Sequence, residues 1–143
     1  MGSSELGLAG SSPRASTDVL HPDRWRPGPP PRLLGSRCDA AGCGEVTFPP
    51  RPLCPDCWGP ATTVELPATG TLYTFTTVHV PSGHAQPPYT LGYADLGTVR
   101  VLGQVVGGEP RIGAPVTVTA ISAGPDGPAG GPGIVYAFEV ARQ

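Results

Sequence analysis

The stretch Cys38-Asp-Ala-Ala-Gly-Cys43-Gly-Glu-Val-Thr-Phe-Pro-Pro-Arg-Pro-Leu-Cys54-Pro-Asp-Cys57 contains every cysteine of the chain. Its spacing is C-x4-C, ten residues, then C-x2-C. Two short Cys loops that face each other place four thiolates at the corners of a tetrahedron, and Zn2+, which has no geometric preference of its own, accepts such a site. The spacing predicts a structural zinc ribbon in which Cys38, Cys43, Cys54 and Cys57 hold one Zn2+. Four thiolates close the coordination shell, so no position is left for a catalytic water.

Other uses of four cysteines fit less well. A disulfide framework spreads its bridges over a small secreted chain, whereas no cysteine follows Cys57 here. A thioredoxin-like C-x-x-C opens a helix, and Pro52, Pro55 and Pro60 around Cys54 and Cys57 oppose one.

Outward from the ribbon, the two flanks differ in composition. Residues 1–20 are rich in Ser, Gly and Ala and have few large apolar side chains, too little to offset the entropy of ordering. From His21 to Pro31 five prolines surround Trp25, which excludes a helix and favours an extended segment. The expectation is a disordered proline-rich arm over residues 1–31, a zinc ribbon over 32–66 and a second module over 67–143. Trp25, with Leu33 and Leu34, is a candidate anchor by which the arm docks on its own domain or on a partner.

Downstream the signals are those of strands. Thr62–Leu66 alternates, and Gly70–Val80 alternates with Tyr73 and Phe75 assigned to one face. Tyr89–Leu96 and Val99–Val106 are joined by the turn Gly97-Thr98. Val116–Ile121 and Ile134–Val140 follow, separated by the Gly/Pro loop Ala123–Gly133. Beyond the ribbon this predicts five strands and no helix, which suits a small barrel that hides its strand edges. The fold class is therefore all-β, a zinc ribbon followed by a five-stranded OB-fold barrel, with an SH3-like barrel as the main alternative.

Charge narrows the functional classes. The chain has nine Arg, no Lys and a net charge of −2, with no basic patch. Nucleic-acid affinity rests on such a patch, so a nucleic-acid-binding ribbon and barrel is the second reading. No apolar run is long enough to span a bilayer, and the N-terminal residues lack the layout of a signal peptide. A cytoplasmic protein with reduced cysteines and no membrane association is expected.

Several pieces taken in order resemble a known family. Cys43-Gly44 precedes Phe48-Pro49-Pro50-Arg51-Pro52, then come Cys54-Pro55-Asp56-Cys57, Gly70-Thr71-Leu72-Tyr73-Thr74-Phe75-Thr76, Pro87-Pro88-Tyr89 and Arg111-Ile112-Gly113-Ala114-Pro115-Val116. Across residues 32–141 this resembles the DUF35 family, a rubredoxin-like zinc ribbon followed by an OB-fold. The resemblance implies a non-catalytic accessory subunit that binds a thiolase-fold or ketosynthase-like enzyme in a hetero-oligomer, with contact to the acyl-CoA thioester as a further expectation. Two departures stand out. The first metal loop of the family is usually C-x2-C, and the segment Pro27–Pro31 replaces a helix that commonly precedes the ribbon.

No catalytic residue is assigned. His79 and His84 lie at or in the Pro81–Pro88 loop with no nucleophile elbow around them, and a solvent-facing role is the simplest reading. An autonomous enzyme using His84 is the third hypothesis. Should that loop line a thioester channel, His84 and Tyr89 would touch substrate. Phe48, Pro49, Pro50 and Arg51 form the Pro-rich surface where partner contact is expected.

Overall fold

Val- and Thr-rich segments with period-two burial set the architecture, because β-branched side chains pack well on a half-buried pleated surface. A computed structural model describes residues 18–80, 87–122 and 133–141. Among them are nine strands: β1 (Trp25–Arg26), β2 (Arg32–Cys38), β3 (Val46–Thr47), β4 (Ala61–Glu65), β5 (Thr69–Val78), β6 (Tyr89–Leu96), β7 (Val99–Gly107), β8 (Pro115–Ser122) and β9 (Ile134–Val140). No helix long and apolar enough to cross a membrane occurs among the described residues.

The first four strands form one sheet organised on β2, which pairs antiparallel with β1, β3 and β4. The last five close into a barrel in the order β5-β6-β7-β9-β8, with β8 returning to β5. All its pairs are antiparallel except β7 with β9. This is the OB arrangement, in which closure removes the exposed edges. Burial follows the pleat: Val99, Val101 and Val105 of β7 point inward, while Arg100 and Leu102 point out.

One core serves both sheets. Trp25, Leu33 and Leu66 from the ribbon side join Leu72, Leu96, Val101, Val116 and Phe138 of the barrel. Leu66 N–H donates to Leu33 O at 2.9 Å, which carries the β2–β4 ladder up to the start of the barrel.

Two expectations need correction. The arm predicted over residues 1–31 is ordered from Asp18 onward: Trp25 is 1% exposed, pairs with Leu33 across β1–β2, and its indole N–H donates to Leu20 O. The prolines exclude a helix there but do not prevent burial of the aromatic between them. Residues 1–17 lie outside the described residues, as do 123–132 of the Ala123–Gly133 loop.

The second correction concerns Tyr73 and Phe75. A β-bulge lies between Leu72, opposite Ala94, and Thr74, opposite Tyr93. The extra residue shifts the alternation, so Leu72 is buried and Phe75 packs on the core while Tyr73 is 49% exposed.

Candidate metal centre

The two cysteine loops hang from the ribbon sheet at different points. Cys38 ends β2 opposite Ala61, and Cys43 follows a turn in which its N–H donates to Ala40 O at 3.1 Å. Gly42 and Gly44 take φ of 79° and 67°, left-handed values that glycine adopts without penalty, and these let the four-residue loop turn back. Cys54 and Cys57 form the second loop, closed by Trp58 N–H to Cys54 O and Cys54 N–H to Gly59 O, both 2.8 Å.

The four sulfurs converge. Cys38 and Cys57 Sγ are 3.4 Å apart, Cys43 and Cys54 Sγ are 3.8 Å apart, and all four lie within 4.8 Å of one another. A tetrahedral Zn2+ with ordinary Zn–S bonds separates its sulfurs by about 3.8 Å, so the donor set fits. The cysteines form no disulfide. Backbone amides support them from outside: Ala40 N–H donates to Cys38 Sγ and Asp56 N–H to Cys54 Sγ, each at 3.4 Å. Such bonds orient the ligands and stabilise thiolate charge.

Without a cation the electrostatics of the four thiols are opposed, with Cys54 lowered and Cys38 and Cys43 raised. The Cys57 amide, with that of Asp56, holds the Cys54 thiol below its ordinary pKa. At Cys38 the Ala40 amide pulls the pKa down, yet burial and the three neighbouring thiols push it up to about 12. A divalent cation at the centre inverts this balance by favouring every thiolate at once. Cys38 and Cys54 are buried, Cys43 is half-buried and Cys57 is exposed.

The chain matches two family models, described as the rubredoxin-like zinc ribbon domain of ChsH2 over residues 25–63 and the C-terminal OB-fold domain of ChsH2 over residues 63–120. It is 34% identical over 102 residues to the benzoylsuccinyl-CoA thiolase subunit BbsA of Thauera aromatica, covering 66% of this chain and 69% of that one. It is also 34% identical over 84 residues to a DUF35 domain-containing scaffold protein of Methanocaldococcus jannaschii, covering 55% of this chain and 58% of that one. The chain belongs to the DUF35 family. A solved structure described as the Ltp2-ChsH2(DUF35) aldolase superposes with a TM-score of 0.60 at 30% identity, over 76% of this chain and 84% of that chain. The four cysteines of this DUF35 chain are accordingly a structural zinc site.

The other residues singled out in the sequence scatter. Trp25 is withdrawn into the core and offers no surface to a partner. Phe48 is half-buried, its ring 6.2 Å from that of Tyr136, and Pro49 and Pro50 are half-buried beside it. Arg51 is exposed, and its backbone N–H donates to the buried Ser36 hydroxyl at 3.0 Å. Tyr89 opens β6, opposite Val78. His84 lies outside the described residues.

The DUF35 ribbon also presents side chains that the sequence reading passed over. Trp58 is 74% exposed at φ 65°, and Leu53 is 48% exposed. With Arg51, Pro52 and Pro55 they border a shallow groove of about 290 Å³ against Cys54. A Trp wedged between the last zinc ligand and Gly59 was the available signal, since an aromatic there has no strand on which to pack.

Proposed function

We propose that this DUF35 chain is a non-catalytic accessory subunit that binds and supports a thiolase-fold or ketosynthase-like enzyme acting on acyl-CoA or a related thioester. The observation that carries the reading is the likeness, in sequence and in fold, to a chain solved as the Ltp2-ChsH2(DUF35) aldolase. The relative named as a benzoylsuccinyl-CoA thiolase subunit supports it from sequence alone. Zinc is structural here: four thiolates complete the shell and hold the two loops against β2. Exposed Trp58, Leu53 and Arg51, with the half-buried Phe48, Pro49 and Pro50 that precede Arg51 in the chain, are the residues assigned to the partner, and Tyr89 and His84 are those assigned to thioester contact. The reducing cytoplasm, which keeps thiols free for zinc, is the compartment this chemistry favours.

Affinity purification of the tagged chain from its native lysate, followed by reconstitution, tests the proposal. A thiolase-fold enzyme should be recovered in fixed ratio, its activity or stability should rise with the added chain, and the chain alone should turn over no thioester. The reading fails if no such enzyme is recovered and addition of the chain changes nothing.

A further inference from the structure

The four sulfurs of the ribbon are not equivalent. Cys38 Sγ accepts from the Ala40 amide and Cys54 Sγ from the Asp56 amide, each at 3.4 Å, and the Glu45 amide favours the thiolate of Cys43. Cys57 Sγ accepts from no amide among the described residues; its partner is Cys38 Sγ at 3.4 Å. Cys57 is also the exposed ligand, whereas Cys38 and Cys54 are buried and Cys43 is half-buried. An amide donor stabilises thiolate charge and so lowers the nucleophilicity of the sulfur it serves. Exposure and the lack of a donor fall on one sulfur, which sets Cys57 apart as the most reactive of the four.

Gly59 keeps the approach to that sulfur open. A Cβ at this position would lie 3.4 Å from Cys57 Sγ and 3.5 Å from Cys38 Sγ, in contact with both. Its φ lies outside the left-handed region, so the turn does not require glycine there. The glycine leaves the space over this pair of sulfurs without a side chain.

We propose that Cys57 is the site at which hydrogen peroxide oxidises the ribbon, and that Cys38 resolves the product into a disulfide across the two loops. The Cys57 thiolate attacks one peroxide oxygen: an S–O bond forms, the O–O bond breaks and hydroxide leaves, so sulfur is oxidised as the peroxide is reduced. The Cys38 thiolate then attacks the sulfur of this sulfenic acid. An S–S bond forms, the S–O bond breaks and a second hydroxide leaves. Cys43 and Cys54 alone cannot supply the four ligands of a structural zinc site. The inference rests on the ribbon and not on the accessory-subunit reading.

The test exposes the zinc-loaded full chain to hydrogen peroxide, with zinc release followed by a chromophoric chelator and the cysteines mapped by mass spectrometry. Cleavage before aspartate puts Cys38, Cys43 with Cys54, and Cys57 on three peptides, since Asp39 and Asp56 lie between them. A sulfenic-acid trap added with the peroxide should label the Cys57 peptide first. Without the trap, the first disulfide should join the Cys38 and Cys57 peptides as zinc is released. Gly59→Ala should bind zinc as the native chain does and lose it to peroxide at least about threefold more slowly, because the added methyl group covers the pair. That methyl meets Ala40 Cβ at 3.0 Å, and the double variant Ala40→Gly, Gly59→Ala restores the room should the single one disturb the loop. First label on any other peptide, or a first disulfide other than Cys38–Cys57, overturns the proposal. So does zinc retained under peroxide, or zinc lost as fast from a zinc-loaded Gly59 variant as from the native chain.

Discussion

Trp25 of the ribbon sheet meets Tyr136 of the barrel edge to face, with ring centroids 6.3 Å apart. Tyr136 also packs edgewise on Phe48 at 6.2 Å and on Phe138 of its own strand at 6.1 Å, so one barrel residue joins the ribbon through two aromatic contacts and is braced by a third within the barrel. Truncating a fully buried Trp in such a cluster costs about 3–5 kcal/mol. Trp25→Ala is expected to lower the urea midpoint accordingly and to loosen ribbon and barrel together. A loss under about 1 kcal/mol would mean that the arm does not carry the joint.

The zinc site predicts a stoichiometry and a pH response. Elemental analysis of freshly purified protein should give one zinc per chain, and Cys57→Ser or a strong chelator should remove it and unfold the ribbon, because binding and folding are one process in small metal modules. Ligation needs thiolates, so zinc held at neutral pH is released on acidification, and the release can be followed with a chromophoric chelator. Metal-free protein with an unchanged spectrum would contradict the assignment.

Acid stability should respond to Asp95. Its carboxylate accepts from Arg100 Nε at 2.7 Å and from Nη2 at 3.2 Å, and that hydrogen-bonded guanidinium holds its pKa below the ordinary value. A depressed carboxylate stabilises the fold above the unfolded-chain value of about 3.9, and the contribution is lost as the pH falls through the lower folded value. Asp95→Asn is expected to change the midpoint little at low pH, where the wild-type carboxylate is itself protonated, and to lower it slightly at pH 7. Equal losses at pH 7 and at pH 2 would show that charge is not the cause.

Gly92 sits where no side chain fits. A Cβ there would lie 2.8 Å from Thr74 O and 2.9 Å from both Leu72 Cδ1 and Val105 Cγ2. Gly92→Ala forces the β5–β6 ladder or the core to shift, at a cost of about 1–3 kcal/mol. Thermal unfolding compared with Gly113→Ala separates this crowding from backbone strain, since Gly113 has open space around its Cβ position but a φ of 88°.

The strands of the barrel were legible because Val99–Val105 and its neighbours alternate cleanly, and the metal ligands because cysteine has few other uses at that spacing. β2 was not. Arg32-Leu33-Leu34-Gly35-Ser36 shows no period of two, since Leu33 faces the barrel while Leu34 and Ser36 are buried on the opposite side of the same sheet. The bulge between Leu72 and Thr74 was equally hidden, because periodicity presumes that every residue advances the pleat by one step. Trp58 escaped notice for another reason: its φ of 65° is set by the turn after the last ligand, a property of the metal loop rather than of any regular element.

The placing of the two tryptophans has a spectroscopic consequence. Trp25, 1% exposed, and Trp58, 74% exposed, are the only indoles in the chain. Their emission is expected to divide into a blue component from buried Trp25 at the joint between the sheets and a red, quencher-accessible component from exposed Trp58 at the zinc knuckle. An added quencher that strips the red component leaves a signal from the shared core, and protection of that component reports anything that covers the knuckle. The unmodified polypeptide thus carries two optical reporters, one for folding and one for docking at the knuckle.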